Sequence, residues 1–454
     1  MNIALDSAAR AVPTEPAATL DGDVPRSLGT WDQLAFWANL GISLLGPVTA
    51  LYLLYPTATG AQLSFVAAFV ALVVGTVLGT ALVSAVGVPG TDTGAPAMVL
   101  LRGLFGTRLS YLPTVLNFLQ LIGWAVFELI VIASAADQLL PGHMHWPYVL
   151  VGGALSTAMA IRPLGSVRVL RKYVLIAVVV AAAYLFVQLA RHPLPSLTAG
   201  SWSGFWNATD VMVALSVSWV PLVADYSRHA RTVRGGVIGS LVGYSLTQII
   251  CVSLGLLAFA TVVSTDAADP QRDIFGAFIA VGLGKVAFAV LVARELDQSF
   301  ANIYSTATSA QNLLQRVDRR VLAVAIGTVA TILGLVFDIG QYQNFLLLIG
   351  SIFVPLAAVL IIDYFVLGGR GHWDVSDSAR SRWVALIPWL IGTSVYQLVA
   401  PVPVEHWDAL WRRVADGIGW HNPSWASASV ASFLAAAIVT LLLAPWMRRS
   451  AGRQ

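Results

Sequence analysis

Charge is what this chain has least of. Asp, Glu, Lys and Arg make up 11% of its 454 residues, against about 25% in an ordinary soluble domain. A soluble core of this length could not absorb 57% hydrophobic residues without exposing many of them to water; lipid can solvate them. The shortage also speaks against nucleic acid as a partner. A net charge of +3 itself says little about nucleic acid, because the position of the charges matters more than their sum.

Cysteine is nearly absent. The single Cys251 sits in an apolar run, which excludes a disulfide framework and reads as a small buried hydrophobe. A basic start followed by an apolar stretch is missing, so no cleavable signal peptide is read. Residues 1–30 are polar and rich in Ala, Pro and Asp, the composition of a disordered cytoplasmic tail. His143, His145, His372, His406 and His421 fall in loops without metal-ligand spacing. No P-loop, HExxH or GxSxG element stands in a fitting context. An ATP-driven pump, a conventional hydrolase and a resident cofactor are therefore not expected. Nor is an enzyme, since no nucleophile or acid–base constellation lies at a water boundary.

What is present is apolar length. Stretches of about 20 residues, enough to cross a bilayer, recur near 34–55, 62–86, 110–139, 147–161, 173–190, 207–226, 236–263, 276–298, 321–337, 343–367, 383–400 and 427–447. Twelve membrane helices follow. Alternate loops are basic: Arg102 and Arg108; Arg162, Arg168, Arg171 and Lys172; Arg228, Arg231 and Arg234; Arg316, Arg319 and Arg320; Arg370, Arg380 and Arg382. With Arg10, Arg26, Arg448, Arg449 and Arg453 in the tails, 20 of the 26 basic residues share one side. Arg191, Arg272, Arg412 and Arg413 lie on the other, and Lys285 and Arg294 fall inside a span. Positive residues stay cytoplasmic, so both termini are placed in the cytoplasm of an inner-membrane protein.

The spans are not uniformly apolar. The first holds Asn39, Gly41, Ser43, Gly46 and Pro47; the sixth holds Ser216, Ser218 and Pro221. Backbone groups freed at membrane depth persist only where they line a cavity or bind something. Two interrupted helices five spans apart suggest inverted five-helix repeats with the site between them. The expected organisation is a tail over 1–30, one repeat over 31–190, a second over 207–367, and two further helices over 383–447. Ordinary kinks with small-residue packing are the alternative.

Polar side chains inside spans cost roughly 2.5–3.5 kcal/mol and tend to face a pathway. In the third span Trp124 and Glu128 stand four apart and share a helix face. An indole beside a carboxylate suits a flat heterocycle bearing N–H donors; a Glu paired with Arg294 or Lys285 is the structural alternative. In the eighth span Asp297, Gln298, Ser299 and Asn302 cluster. Oxygen ligands there, with the backbone at the Leu40–Gly41 break, suit Na⁺, and a buried carboxylate can equally carry a proton. Alternatively the cluster sits near the cytoplasmic end, with Arg294 and Glu295 neutralising each other. Asn39, Ser216, Ser218 and Trp219 complete the candidate substrate lining. Asp225 and Arg228, at the end of the sixth span, read as a structural ion pair.

At these residues the chain resembles the nucleobase–cation symporter family, which includes cytosine, hydantoin and hydroxymethylpyrimidine transporters. The likeness runs from about Leu28 to about Tyr364. It rests on Ser218-Trp219-Val-Pro-Leu-Val-Ala-Asp225-Tyr-Ser-Arg228, on Asn302-Ile-Tyr-Ser305, and on Gly94-Ala-Pro with Arg102-Gly-Leu-Phe-Gly106 leading to Gly123-Trp124. The resemblance implies an all-α, leucine-transporter-like fold with alternating access. It also implies that Trp124 stacks on a base, that Glu128 hydrogen-bonds it, and that Asn302 contacts it. Members commonly carry a second aromatic where Ser216 stands; Trp219 is the nearest one here. Sodium-coupled members tend to carry hydroxyl side chains where Leu296 and Asp297 stand, which leaves the choice between Na⁺ and H⁺ open.

Import of a pyrimidine-type base, cytosine or hydroxymethylpyrimidine, by cation symport is the resulting expectation. No obligate protein partner is read. A same-fold symporter for an allantoin- or hydantoin-like compound or an amino acid is the alternative. A zwitterion's carboxylate prefers half-helix N-termini, whereas Glu128 beside Trp124 prefers an aromatic amine. The charge distribution predicts that reporter fusions at both ends give cytoplasmic signals; a periplasmic signal from either end would sink the twelve-span reading.

Overall fold

Each apolar stretch read from the sequence falls on helix in the computed structural model. The structure describes residues 26–56, 62–140, 144–161, 163–194, 196–264, 270–313, 317–423 and 425–451. Residues 1–25 of the expected tail, together with Arg162, Arg316, Arg453 and His143, lie outside them.

The chain opens with α1 (Thr30–Leu40) and α2 (Leu45–Leu54), followed by α3 (Phe65–Thr93), α4 (Ala97–Phe105), α5 (Tyr111–Leu139), α6 (His145–Ile161) and α7 (Pro163–Leu189). Next come α8 (Phe205–Val217), α9 (Val223–Ser227) and α10 (Val233–Ile238), which passes through a π turn (Gly239–Tyr244) into α11 (Ser245–Thr261). Then follow α12 (Pro270–Ala280), α13 (Gly284–Leu313), α14 (Arg319–Val336) and α15 (Tyr342–Ile361). The last are α16 (Gly369–His372), α17 (Leu386–Val399), α18 (Trp407–Gly417), α19 (Ala428–Leu442) and α20 (Ala444–Ala451). Among the described residues five continuous helical stretches are long and apolar enough to cross a membrane: Phe65–Thr93, Tyr111–Leu139, Val233–Thr261, Arg319–Val336 and Ile339–Val366. The α1–α2 pair makes a sixth, bent by 67°.

Both expected interruptions are present. The first span stops at Gly41 and resumes at Leu45, with Pro47 in the first turn of α2, where its missing N–H costs nothing. A Cβ at Gly41 would lie 2.8 Å from the Tyr244 carbonyl, so only glycine lets the break sit against the π turn. The sixth span stops at Val217 and resumes at Val223 around Pro221. Elsewhere side chains cap helix starts: Ser64 for α3, Thr232 for α10, Asp318 for α14 and Ser427 for α19.

The structure corrects three sequence expectations. The eighth span is Gly284–Leu313 rather than 276–298, because residues 270–280 form the separate helix α12. That moves Arg294 through Asn302 to mid-helix, away from any end. Residues 26–30 are not free tail: Leu28 pairs its backbone with His229 and Arg231. The short helices α4 and α18, and the first half of α12, lie in segments read as connections.

Across the halves α3 packs on α8, α1 on the π turn, α2 on α11 and α5 on α13, while α17 and α19 pack together against α15. Among the described residues two large buried apolar clusters result, with a small third one at Tyr396, Val399 and Ala428, and Trp124 and Phe345 pack against both large ones. Large apolar residues on the outer faces stay exposed, among them Leu119, Val180, Ile332 and Leu434, as lipid contact requires. The two ends of the described chain share a face. Arg26 donates to the Asp92 carbonyl at the end of α3, and Arg382 donates to the Met447 carbonyl in α20. Arg370 meets the Asp92 carboxylate at 3.0 Å, and Tyr364 donates to it at 2.8 Å.

Arg382 is the strongest tie on that face. Its guanidinium meets Asp363 in a two-pronged pair at 2.8 and 3.0 Å and also donates to the Gly103 carbonyl. Both side chains are buried, and Trp373 Nε1 donates to the same carboxylate at 2.7 Å. Asp363→Ala should destabilise the protein by about 3–5 kcal/mol because it strands a buried guanidinium. Thermal unfolding of the purified variant in detergent measures this; an unchanged midpoint would show that Arg382 finds another partner.

Candidate functional site

Four elements converge where the broken spans meet: the α1–α2 break, the α8–α9 break, the middle of α5 and the middle of α13. They border a cavity of ≈ 50 Å³. Leu40, Gly41, Ser43, Trp124, Glu128, Ser218, Trp219, Tyr244, Gln248, Gln298 and Asn302 are among its lining residues.

Trp124 is placed by its neighbour. Gly123 gives room to Phe345, whose ring carbon Cζ would lie 2.7 Å from a Cβ at that position. Phe345 therefore packs edge-on to the Trp124 indole, with centroids 5.4 Å apart and planes at 76°, and Tyr342 does likewise at 6.0 Å and 72°. One turn further, Glu128 is 1% exposed. The Asn302 amide donates to both of its carboxylate oxygens at 2.9 Å. The alternative partners of Glu128, Arg294 and Lys285, do not take this place. The Glu128–Asn302 clasp joins α5 to α13 and sets a carboxylate acceptor beside an amide donor. Trp219 borders the same cavity, edge-on to Trp37 at 5.8 Å and to Tyr244 at 6.1 Å.

The first break is held by α13. Glu295, fully buried, accepts from Ser43 Oγ at 2.8 Å and from the Leu44 N–H at 2.9 Å. Its negative charge sits at the positive start of α2. Arg294, 2% exposed, donates from Nη2 to the Asn39 carbonyl at 2.7 Å and to Gln298 Oε1 at 2.8 Å. Its positive charge sits at the negative end of α1. Its Nη1 lies 3.5 Å from the Asp297 carboxylate. Rather than simply neutralising each other, Arg294 and Glu295 hold opposite ends of one break. The second break is held by Gln120, which donates to the Ser218 carbonyl at 2.9 Å.

Several sequence-read candidates are placed differently. Ser216 is not in the cavity lining; its hydroxyl donates to the Met212 carbonyl and accepts from Gln248. Asn39 is also outside the lining and offers its carbonyl to Arg294. Asp225 and Arg228 are not joined in the direct pair expected. Asp225 instead accepts from the Ala97 N–H at 2.9 Å at the start of α4, and Arg228 Nε donates to the His229 ring at 3.3 Å. Asp297 lies against Arg294, outside the lining. Gln248 and Tyr244 were not anticipated. Gln248 donates to Thr76 and Ser216, and its buried Oε1 has no hydrogen-bond partner. An amide inside the stretch 236–263 was the available signal, because the cost that flags Gln298 applies equally to Gln248.

Broken helices paired across two halves, with polar side chains gathered between them, define a membrane transporter rather than an enzyme. The family model for permeases for cytosine/purines, uracil, thiamine and allantoin matches residues 29–382, and the chain belongs to that family. It is 24% identical over 328 residues to a putative purine-cytosine permease, YxlA, of Bacillus subtilis, covering 66% of this chain and 70% of that one. It is 24% identical over 333 residues to the cytosine permease of Escherichia coli K12, covering 71% and 76%. Among solved structures, the inward-facing conformation of Mhp1 superposes with a TM-score of 0.73 at 18% identity, covering 94% of this chain and 91% of that one. Mhp1, a nucleobase–cation symport family transporter, in a closed conformation with bromovinylhydantoin bound, gives 0.68 at 18% identity, covering 96% and 97%. The fold is thus leucine-transporter-like, as the resemblance implied.

Proposed function

We propose that this permease imports a pyrimidine-type base, cytosine or hydroxymethylpyrimidine, across a bacterial inner membrane by cation symport with alternating access. The observation that carries the reading is the Glu128–Asn302 clasp beside the Trp124 ring at the cavity wall. An aminopyrimidine edge presents an exocyclic N–H donor next to a ring-nitrogen acceptor. The clasp presents the complement, a carboxylate acceptor next to an amide donor. The indole face gives the ring a stacking partner, and Trp219 is the candidate for a second wall. Polar groups placed this way discriminate strongly, because a mismatched ligand leaves them buried and unpaired. The coupling ion is Na⁺ or H⁺, and Asp297, beside Arg294 on α13, is the acidic side chain on which coupling is expected to centre.

A second reading is an allantoin- or hydantoin-like solute. Its support is the hydantoin bound in one of the similar structures, and an imide edge also offers N–H beside C=O. Glu128→Gln separates the two. It turns an acceptor-only group partly into a donor, so competition by cytosine for labelled substrate should weaken more than competition by uracil or hydantoin. Equal loss for all three would make Glu128 structural. Trp124→Ala should cost roughly 0.5–1.5 kcal/mol of stacking beyond lost area, read as a weaker apparent Kd for cytosine; an unchanged Kd would remove Trp124 from the site.

A further inference from the structure

The C-terminal end of α1 is a cation site in every respect but its occupant. Three oxygens from separate groups gather there: the Asn39 carbonyl, Gln298 Oε1 and the Asp297 carboxylate. Asn39 lies in the last turn of α1, where the helix dipole is negative, and its carbonyl accepts from the Ile42 N–H at 3.4 Å as well as from Arg294. Half-helix C-termini with unwound carbonyls are the usual place for an alkali cation in broken-helix transporters. The occupant here is the chain's own guanidinium. Arg294 is 2% exposed, is held by two hydrogen bonds of 2.7 and 2.8 Å, and lies 3.5 Å from the carboxylate.

We propose that Arg294 is a resident cation that replaces Na⁺ at this junction, so that Na⁺ is not the coupling ion of this transporter. The statement deepens the symport reading above and rests on it. Three points carry it. The Asn39 carbonyl and Gln298 Oε1 are taken by N–H donors of Arg294, and the Asp297 carboxylate faces its positive charge at 3.5 Å. A second cation between the same groups would meet a like charge at contact distance, in surroundings of low dielectric. The guanidinium is also covalently attached to α13, whose next residue, Glu295, holds the start of α2 through Ser43 and Leu44. The work asked of an ion, joining α1 to the neighbouring helix bundle, is already done by a side chain that cannot leave.

The test uses the full chain, purified in detergent. Thermal unfolding of the substrate-free protein is followed while Na⁺ replaces choline at constant ionic strength, and labelled cytosine is the binding probe in both salts. The parent should unfold at one temperature in both, and its Kd for cytosine should differ by less than about twofold. Arg294→Ser leaves the three oxygens without their cation; it should gain stability from Na⁺ and from free guanidinium, and not from choline. A Na⁺-specific rise in the parent's unfolding temperature overturns the proposal, as does tightening of cytosine beyond about twofold. So does a folded Arg294→Ser protein indifferent to both cations. Where that variant does not fold, the two parent titrations decide. If cytosine binds the parent in neither salt, the substrate reading fails, and the substrate-free unfolding comparison still decides the part played by Arg294.

Discussion

The site depends on one constraint: a helix broken at membrane depth leaves backbone groups that water cannot reach. Each unpaired group in hydrocarbon costs several kcal/mol. In this chain α13 meets that demand with two consecutive residues of opposite charge. Glu295 satisfies the start of α2, and Arg294 satisfies the end of α1. A break closed by side chains of one rigid helix is fixed in position relative to that helix. The cavity beside it takes its shape from this fixed geometry.

The same helix carries the Glu128–Asn302 clasp. Glu295, Gln298 and Asn302 are spaced three, four and seven residues apart, so they fall along one face of α13. Gln298 touches Arg294 at one end of this row, and Asn302 touches Glu128 at the other. About two helical turns, roughly 10 Å at 1.5 Å per residue, separate the charge at the break from the amide on α5's carboxylate. Any shift of α13 that opens the clasp also pulls on the break. That is a mechanical route between the charge at the break and the cavity wall, and it needs no chain of intermediate residues.

Much of this was readable in the sequence, for physical reasons that also mark the limits. Gly41, Pro47 and Pro221 announce the breaks because no apolar packing demand explains such residues in the middle of a span. Trp124, Glu128 and Asn302 stand out because polarity inside lipid is costly wherever it occurs. Which polar group meets which is another matter. Glu295 reaches Ser43 across 252 residues of chain, and no local pattern tells whether it faces α2, Arg294 or water. The expected Asp225–Arg228 pair failed for the same reason. A buried carboxylate takes the best donor that the fold brings, and the start of α4 brought the Ala97 N–H. Residues 276–280 were assigned to the eighth span because α12 is apolar on its buried side, where Ile274, Phe275 and Phe278 pack. Its hydropathy therefore runs smoothly into the span that follows.

Magnitudes separate the contacts that can open during transport from those that cannot. On the face carrying the chain ends, Arg370 meets Asp92 with side-chain exposures of 59% and 19%. Such exposed pairs contribute about 0–1 kcal/mol, so a motion that parts α3 from the end of α15 loses little by breaking it. Asp363 and Arg382 are exposed by only 3% and 7%. Breaking them would leave two charges unpaired out of reach of water, a cost of about 3–5 kcal/mol for removal of one partner alone. Parting the Arg370–Asp92 pair would therefore cost less than parting the tie from Asp363 through Arg382 to α4 and α20. The breaks at Gly41 and Ser218, both lined by the cavity and each held by a side chain of a neighbouring helix, are the points where such a movement reaches the bound solute.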